Sequence, residues 1–211
     1  MAIIYQNSEP LGQHIAVWSI SETYDELVLF LNNESFLKEI HTLGLKSELR
    51  INQKIAAGIL LQHILKENIN IFYDELGKPL LKNHVGNISI SNTKEFVTVI
   101  YHPHKPVGID IEIPSEKIVK IAPKFINQKE QNWINRSQLP AYKNYFTVWC
   151  VKESLFKLIG GGGIDFKDHI LVNEPNENTG ELHFLKSNQE VHFTYHLLTV
   201  EDLLISFIVG N

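Results

Sequence analysis

Two carboxylates, Asp110 and Glu112, stand two residues apart in Val107-Gly108-Ile109-Asp110-Ile111-Glu112-Ile113. The alternation reads as a β-strand. Period two places both acids on one face beside Gly108, whose missing side chain leaves room for a ligand. Val107, Ile109, Ile111 and Ile113 take the other face. Two such charges about 5 Å apart repel by about 3 kcal/mol at an effective dielectric of about 20. Either one acid takes up a proton or a cation sits between them, unless the pair is simply a solvated strand face. A second constellation lies between Phe146 and Ile159. As a helix, this segment turns Val148, Val151, Leu155, Leu158 and Ile159 to one side, and Phe146, Trp149, Cys150, Glu153 and Lys157 to the other. A helix apolar nearly all round is buried. Glu153 and Lys157 then share a partly enclosed side with aromatic rings, where charges are costly unless paired or coordinated. The plainer alternative is an i,i+4 surface pair.

These side chains need a scaffold, and the hydrophobic pattern outlines one. The N-terminal part reads as helical, with Thr23 and Glu26 at capping-box spacing before Leu27–Leu31. Leu49, Ile55, Ala56, Ile59, Leu60, Ile64 and Leu65 recur near helical period and mark a stronger helix. Asn68–Pro79 breaks into a strand-like piece and a Gly77-Lys78-Pro79 turn. From Asn87 the period becomes two: strands at Ile88–Ser91, Phe96–Tyr101 and Val107–Ile113, joined by turns at Asn92–Glu95 and His102–Pro106. Helices are expected at Glu116–Ile126 and Ala141–Ile159, and strands at Ile170–Val172, Glu190–His196 and Leu203–Val209. Helices then strands, twice over, predict an α+β protein of two similar α/β subdomains, 1–107 and 108–211.

Composition narrows the function classes. The 211 residues are 44% hydrophobic and 20% charged, enough apolar material for a sizeable core. Nineteen basic against 24 acidic residues give a net charge of −5. With no basic run, a nucleic-acid binder is disfavoured. Cys150 is the only cysteine, so no intrachain disulfide forms. The start MAIIYQNSEP has no basic n-region, and its apolar run is too short for a signal peptide. No stretch approaches the ~20 apolar residues of a bilayer span. A cytoplasmic setting and no membrane partner are expected.

GIDIE at 108–112 and WCVKESLFK at 149–157, in this order and separation, closely resemble the two signature motifs of the 4′-phosphopantetheinyl transferase superfamily, in its monomeric, Sfp-type branch. Gly77-Lys78-Pro79, the Ile88–Thr93 strand and turn, and the Gly-rich Gly160–Phe166 also fall where that family has them. The resemblance covers roughly residues 45–209. It implies two subdomains related by a pseudo-twofold, a monomer, and one site at the subdomain interface. It implies transfer of the 4′-phosphopantetheine arm of coenzyme A to a serine of an apo acyl or peptidyl carrier protein, with release of 3′,5′-ADP. Mapped by motif, Asp110, Glu112 and Glu153 resemble the carboxylates that hold Mg²⁺, or Mn²⁺, against the coenzyme A pyrophosphate. That suits a hard cation with oxygen ligands. Lys152 and Lys157 resemble phosphate-contacting lysines, with Lys157 stabilising the departing ADP oxygen. Glu130 resembles the glutamate that activates the attacking serine. Lys78 and Pro79 resemble the segment that lines the nucleotide end of the coenzyme A pocket. Ser91 and Thr93, near a strand end, offer hydroxyls to a phosphate, Lys46 and Arg50 are placed to reach the same polyanion, and Asn92 offers a neutral hydrogen bond, with Asp110 and the two lysines beside the phosphates.

Two positions depart from the pattern. Asn92 stands where the family has a histidine, and Gly58 where it commonly has an arginine. Each loses a charge-assisted hydrogen bond worth about 1.5–3 kcal/mol in a desolvated site. A non-catalytic relative that binds coenzyme A or a carrier protein is therefore the second reading, and a metal-dependent phosphohydrolase the third. Other signals are weaker. His102-Pro103-His104 has metal-like spacing but sits in a turn. Gly160–Gly163 lacks the G-K-[ST] of a P-loop and reads as a helix stop. Cys150 reads as buried filler. The stripe Ile118, Ile121, Ala122 and Phe125 reads as core or, by the resemblance, as part of a carrier-docking face.

Overall fold

The computed structural model describes residues 3–8, 12–82, 84–186 and 189–210. Met1 and Ala2, at the head of the segment read for a leader, lie outside them. The chain is α+β and divides into two units, Met1–Val107 and Gly108–Asn211. Among the described residues no helix is long and apolar enough to cross a membrane.

The first unit opens with strands β1 (Ile3–Ser8) and β2 (His14–Ser19), where the pattern had read as helical. Ile15, Ala16, Val17 and Trp18 are all fully buried. A strand covered on both faces has no alternation to betray it. Helix α1 (Tyr24–Leu31) then starts on the expected capping box: the Glu26 carboxylate accepts from Thr23 N at 2.9 Å, while Thr23 Oγ1 accepts from Glu26 N. Helix α2 (Glu34–Thr42) leads to the long α3 (Glu48–Leu65), whose Ile55–Leu61 run is wholly buried against β2 and the later β6. The hairpin β3 (Asn70–Tyr73) and β4 (Pro79–Lys82) turns on Asp74, whose Oδ1 accepts from Leu76 N and Lys78 N. Strands β5 (Asn87–Thr93) and β6 (Phe96–His102) complete an antiparallel sheet of order β1-β2-β6-β5.

The second unit is built on β7 (Val107–Glu112), α4 (Gln128–Ile134), α5 (Ala141–Ile159), β8 (Ile170–Val172), β9 (Thr179–Lys186), β10 (Gln189–Val200) and β11 (Leu203–Val209). Its sheet runs β7-β11-β10-β9-β8, with α5 against β11. The helix expected over Glu116–Ile126 is instead two short 3₁₀ turns, Glu116–Lys120 and Ala122–Lys124. Pro123 lacks an N–H and cannot donate into the ladder, which interrupts the run. Ile118, Ala122 and Phe125 are core, while Ile121 is exposed. Helix α5 keeps its expected bounds and stops at Gly160, whose left-handed φ of 86° lets its N–H bond Phe156 O.

Gly108 sets the spacing between β7 and α5. A β-carbon there would stand 1.9 Å from Ser154 O and 2.8 Å from Leu158 N. The glycine is therefore needed for strand–helix contact, not to leave room for a ligand as its place beside the acids had implied. Gly108→Ala must push β7 off the helix backbone. The variant is expected to lose about 3 kcal/mol of stability, read as a lowered urea midpoint, and an unchanged midpoint would refute this packing.

Candidate active site

The close approach of β7 brings its acidic face onto α5. Lys157 Nζ, a turn beyond Glu153, lies 2.7 Å from Asp110 Oδ1. Asp110 is nearly sealed, whereas Lys157, Glu112 and Glu153 are half-buried. Burial pushes the Glu112 carboxyl up to about 7, with further lifting by Asp110 and a counteracting hydrogen bond from Trp149. Glu153 is likewise raised, first by burial and then by Asp110, with Lys157 pulling it down. The Cys150 thiol is held well above its usual range by burial and by the same acids, so it is no nucleophile.

The three acids form one electrostatic unit, with Asp110 raising both Glu112 and Glu153. Among the described residues, the triad whose ligand atoms all fall within 4.8 Å of one another is a different one, His183, Glu190 and His192. Asp110, Glu112 and Glu153 are coupled acids on β7 and α5. Their donor set still fits a hard divalent cation. It is all oxygen, and one ammonium against three acids leaves a deficit of two charges.

Beside the acids opens a cavity of about 440 Å³ lined by Ile121, Lys124, Phe125, Trp149, Glu153 and Phe166, among others. Its aromatic wall is ordered by ring contacts: Phe125 meets Trp149 edge-on with centroids 5.0 Å apart, and Trp149 and Phe166 lie tilted at 5.7 Å. Glu153 thus brings a carboxylate to a recess walled by aromatic rings and edged by Lys124 and Asp165.

Residues 106–208 match the family model of the 4′-phosphopantetheinyl transferase superfamily. The 4′-phosphopantetheinyl transferase gsp of Aneurinibacillus migulanus is 37% identical over 105 residues, 49% of this chain. Residues 106–208 are thus similar to that superfamily, over about half of the chain. The match spans 44% of the relative's length; the residues matched by the family model include β7, α5, Asp110, Glu112 and Glu153.

The other residues mapped by the superfamily motifs separate into three groups. In the first unit, a cavity of about 300 Å³ is lined by Leu45, Arg50, Gln53, Lys54, Ile90 and Asn92. It joins Arg50 and Asn92. Strand alternation turns Ser91 and Thr93 to the face opposite Asn92, and Ser91 is buried. Lys46, Lys78 and Pro79 do not line this cavity either. Lys54 is the residue that pattern reading missed. It follows Arg50 by four on α3, so i,i+4 spacing would have found it. Its Nζ donates to Tyr73 Oη and lies 3.8 Å from that ring's centroid. Burial, then Arg50, pushes its ammonium down to about 8.

Glu130 and Lys152 are placed otherwise than the motifs imply. Glu130 starts α4 rather than sitting in a polar turn, and both side chains are fully buried. Glu130 accepts from Lys152 at 2.7 Å, Asn127 N at 2.9 Å and Val172 N at 2.9 Å. Lys152 also donates to Phe125 O and Phe166 O, both at 2.7 Å. Burial works against both charges, and their attraction and hydrogen bonds oppose it. With three donors and both carboxylate oxygens in use, neither residue is open to a phosphate or a serine hydroxyl. The plain alternative for Lys152, a solvated helix surface, also fails.

Two tests follow from these placements. Lys152→Met strands the Glu130 carboxylate in the core and should cost about 3–5 kcal/mol, with Lys152→Met/Glu130→Gln recovering part of it in urea titrations. Full stability in the single variant would mean that the pair is not closed. Glu112 has its folded pKa raised from 4.5 to about 7. Its contribution to stability is complete below 4.5 and is lost as pH rises through about 7. In chelator-treated protein, the thermal midpoint of Glu112→Gln should overtake that of the parent across this window; parallel curves would refute the raised carboxyl.

Proposed function

We propose that the protein transfers the 4′-phosphopantetheine moiety of coenzyme A to a serine of an apo acyl or peptidyl carrier protein, dependent on Mg²⁺ or Mn²⁺. The observation that carries this reading is the under-compensated acid cluster Asp110, Glu112 and Glu153 with Lys157, built on β7 and α5 within the matched residues. Asp110, Glu112 and Glu153 would hold the cation. When bound, the ion neutralises charge on the pyrophosphate and makes its phosphorus a better electrophile.

In the transfer, the serine oxygen bonds to the β-phosphorus, the bridging P–O bond breaks, and 3′,5′-ADP departs. Lys157 meets the leaving oxygen as it gains charge, since its ammonium already stands within the acid cluster. The serine hydroxyl proton passes to Glu153, which lines the recess together with Asp165. Glu130 and Lys152 act by holding α4, α5 and the Phe125 and Phe166 carbonyls in place. The aromatic recess suits the apolar side of an incoming carrier helix. Arg50 and Lys54 put two cations on one cavity of the first unit, suited to an anionic ligand. Lys78 and Pro79 stand as further coenzyme A contacts on the resemblance, and Lys46, Ser91 and Thr93 on their residue types and places in the sequence.

A binding-only relative is the second reading, favoured by Phe36 filling the space at Gly58, where the resemblance implies an arginine. There, a β-carbon would meet Phe36 Cε1 at 2.2 Å. Incubation with coenzyme A, Mg²⁺ and an apo carrier separates the two. The carrier should gain the mass of one phosphopantetheine, and Asp110→Asn and Glu153→Gln should each slow the gain by about 10²-fold or more. Metal-dependent coenzyme A binding by calorimetry, with no mass gain on any carrier tried, would sink the enzyme reading in favour of the binding one.

A further inference from the structure

We propose that His183, Glu190 and His192 on the β9–β10 hairpin form a site for one divalent transition-metal ion of the zinc class. His183 and His192 are directly opposed across the ladder, and their ring centroids lie 4.3 Å apart. Glu190, two residues before His192, shares its face. Glu190 Oε1 lies 2.6 Å from His183 Nδ1 and 3.8 Å from His192 Nε2. The three ligand atoms gather within 4.8 Å.

The chemistry selects the ion. Two imidazoles and a carboxylate suit zinc and its neighbours, whereas Mg²⁺ prefers oxygen alone. A tetrahedral ion with bonds of about 2.0–2.1 Å spaces its donors about 3.3 Å apart. One separation here must close slightly and the other open, within the reach of side chains at an exposed hairpin surface. A lone His–Glu pair accounts for His183 and Glu190 but not for the second imidazole. Protonated, two opposed histidines repel; a shared ion turns that opposition into a bridge between strands, with water in the fourth position.

The surroundings of His183 already hold one of its nitrogens. Asn173 Nδ2 lies 3.1 Å from His183 Nε2. The Asn173 main chain is anchored in turn, its N–H on Glu181 O and its carbonyl accepting from Tyr195 Oη at 2.7 Å. With the amide rotated end for end, Asn173 Oδ1 accepts the Nε2–H and the Nδ1 lone pair is left for the ion. A neutral ring needs only a tautomer change for this.

The test uses the full, untagged, chelator-stripped chain and zinc chloride. Substoichiometric Zn²⁺ should shift the assigned ring Cε1–H resonances of His183 and His192 together, while equal Mg²⁺ leaves them in place. In calorimetry, His192→Ala should lose one zinc equivalent, Asn173→Ala should bind about tenfold more weakly, and Asp110→Asn should keep the equivalent. Two unmoved resonances in the parent protein would overturn the site, whatever the variants do. So would undiminished zinc binding by His183→Ala/His192→Ala.

Discussion

The absence of one β-carbon fixes how closely β7 can lie on α5. At Gly108 the helix carbonyl of Ser154 occupies space that any side chain would need. Period two then carries Asp110 and Glu112 toward the same helix, and the helical repeat presents Trp149, Glu153 and Lys157 a turn apart to meet them. The cost is electrostatic. Three acids are drawn into one half-buried neighbourhood, where Glu112 and Glu153 both rise above the usual carboxylate range. Close packing supplies the energy, and the acids give part of it back.

The same unit holds a second buried acid under the opposite condition. Glu130 is more deeply enclosed than Glu112, yet its carboxylate takes an ammonium and two backbone N–H groups. A buried charge is tolerable when every lone pair is used. Glu130 and Lys152 thereby become structural: they tie the start of α4, the Phe125 carbonyl and the Phe166 carbonyl to one point on α5. Those carbonyls belong to two rings of the recess beside Glu153, so the ion pair positions the walls of the site without entering it.

How much of this was legible in the sequence depends on what each residue faces. Asp110 and Glu112 on one strand face, Glu153 and Lys157 on one helix side, the Thr23 capping box and the span of α5 all follow from local periods, and the coordinates hold them. β1 and β2 escaped because β2 is apolar on both faces. The helix over Glu116–Ile126 failed at Pro123, a local signal outweighed by an apolar stripe. Lys152 escaped for a non-local reason: its partners come from residues 125, 130 and 166, which no spacing rule on α5 can see. Gly108 showed its importance in the pattern but not its cause, since strand–helix contact and ligand room demand the same missing side chain.

Gly58 shows that a departure from a family pattern can carry its own compensation. An arginine at that position would have to displace the Phe36 ring, which lies where the β-carbon would go. Phe36 is almost fully buried in the first core and packs α2 against α3. The positive charge is not lost from the helix. Lys54 precedes Gly58 by four residues, on the same face, and lines the cavity that holds Arg50 and Asn92. Its ammonium is only partly desolvated and keeps a hydroxyl partner in Tyr73. One turn of helix therefore separates the expected cation from the one present, and the intervening space has been given to an aromatic ring.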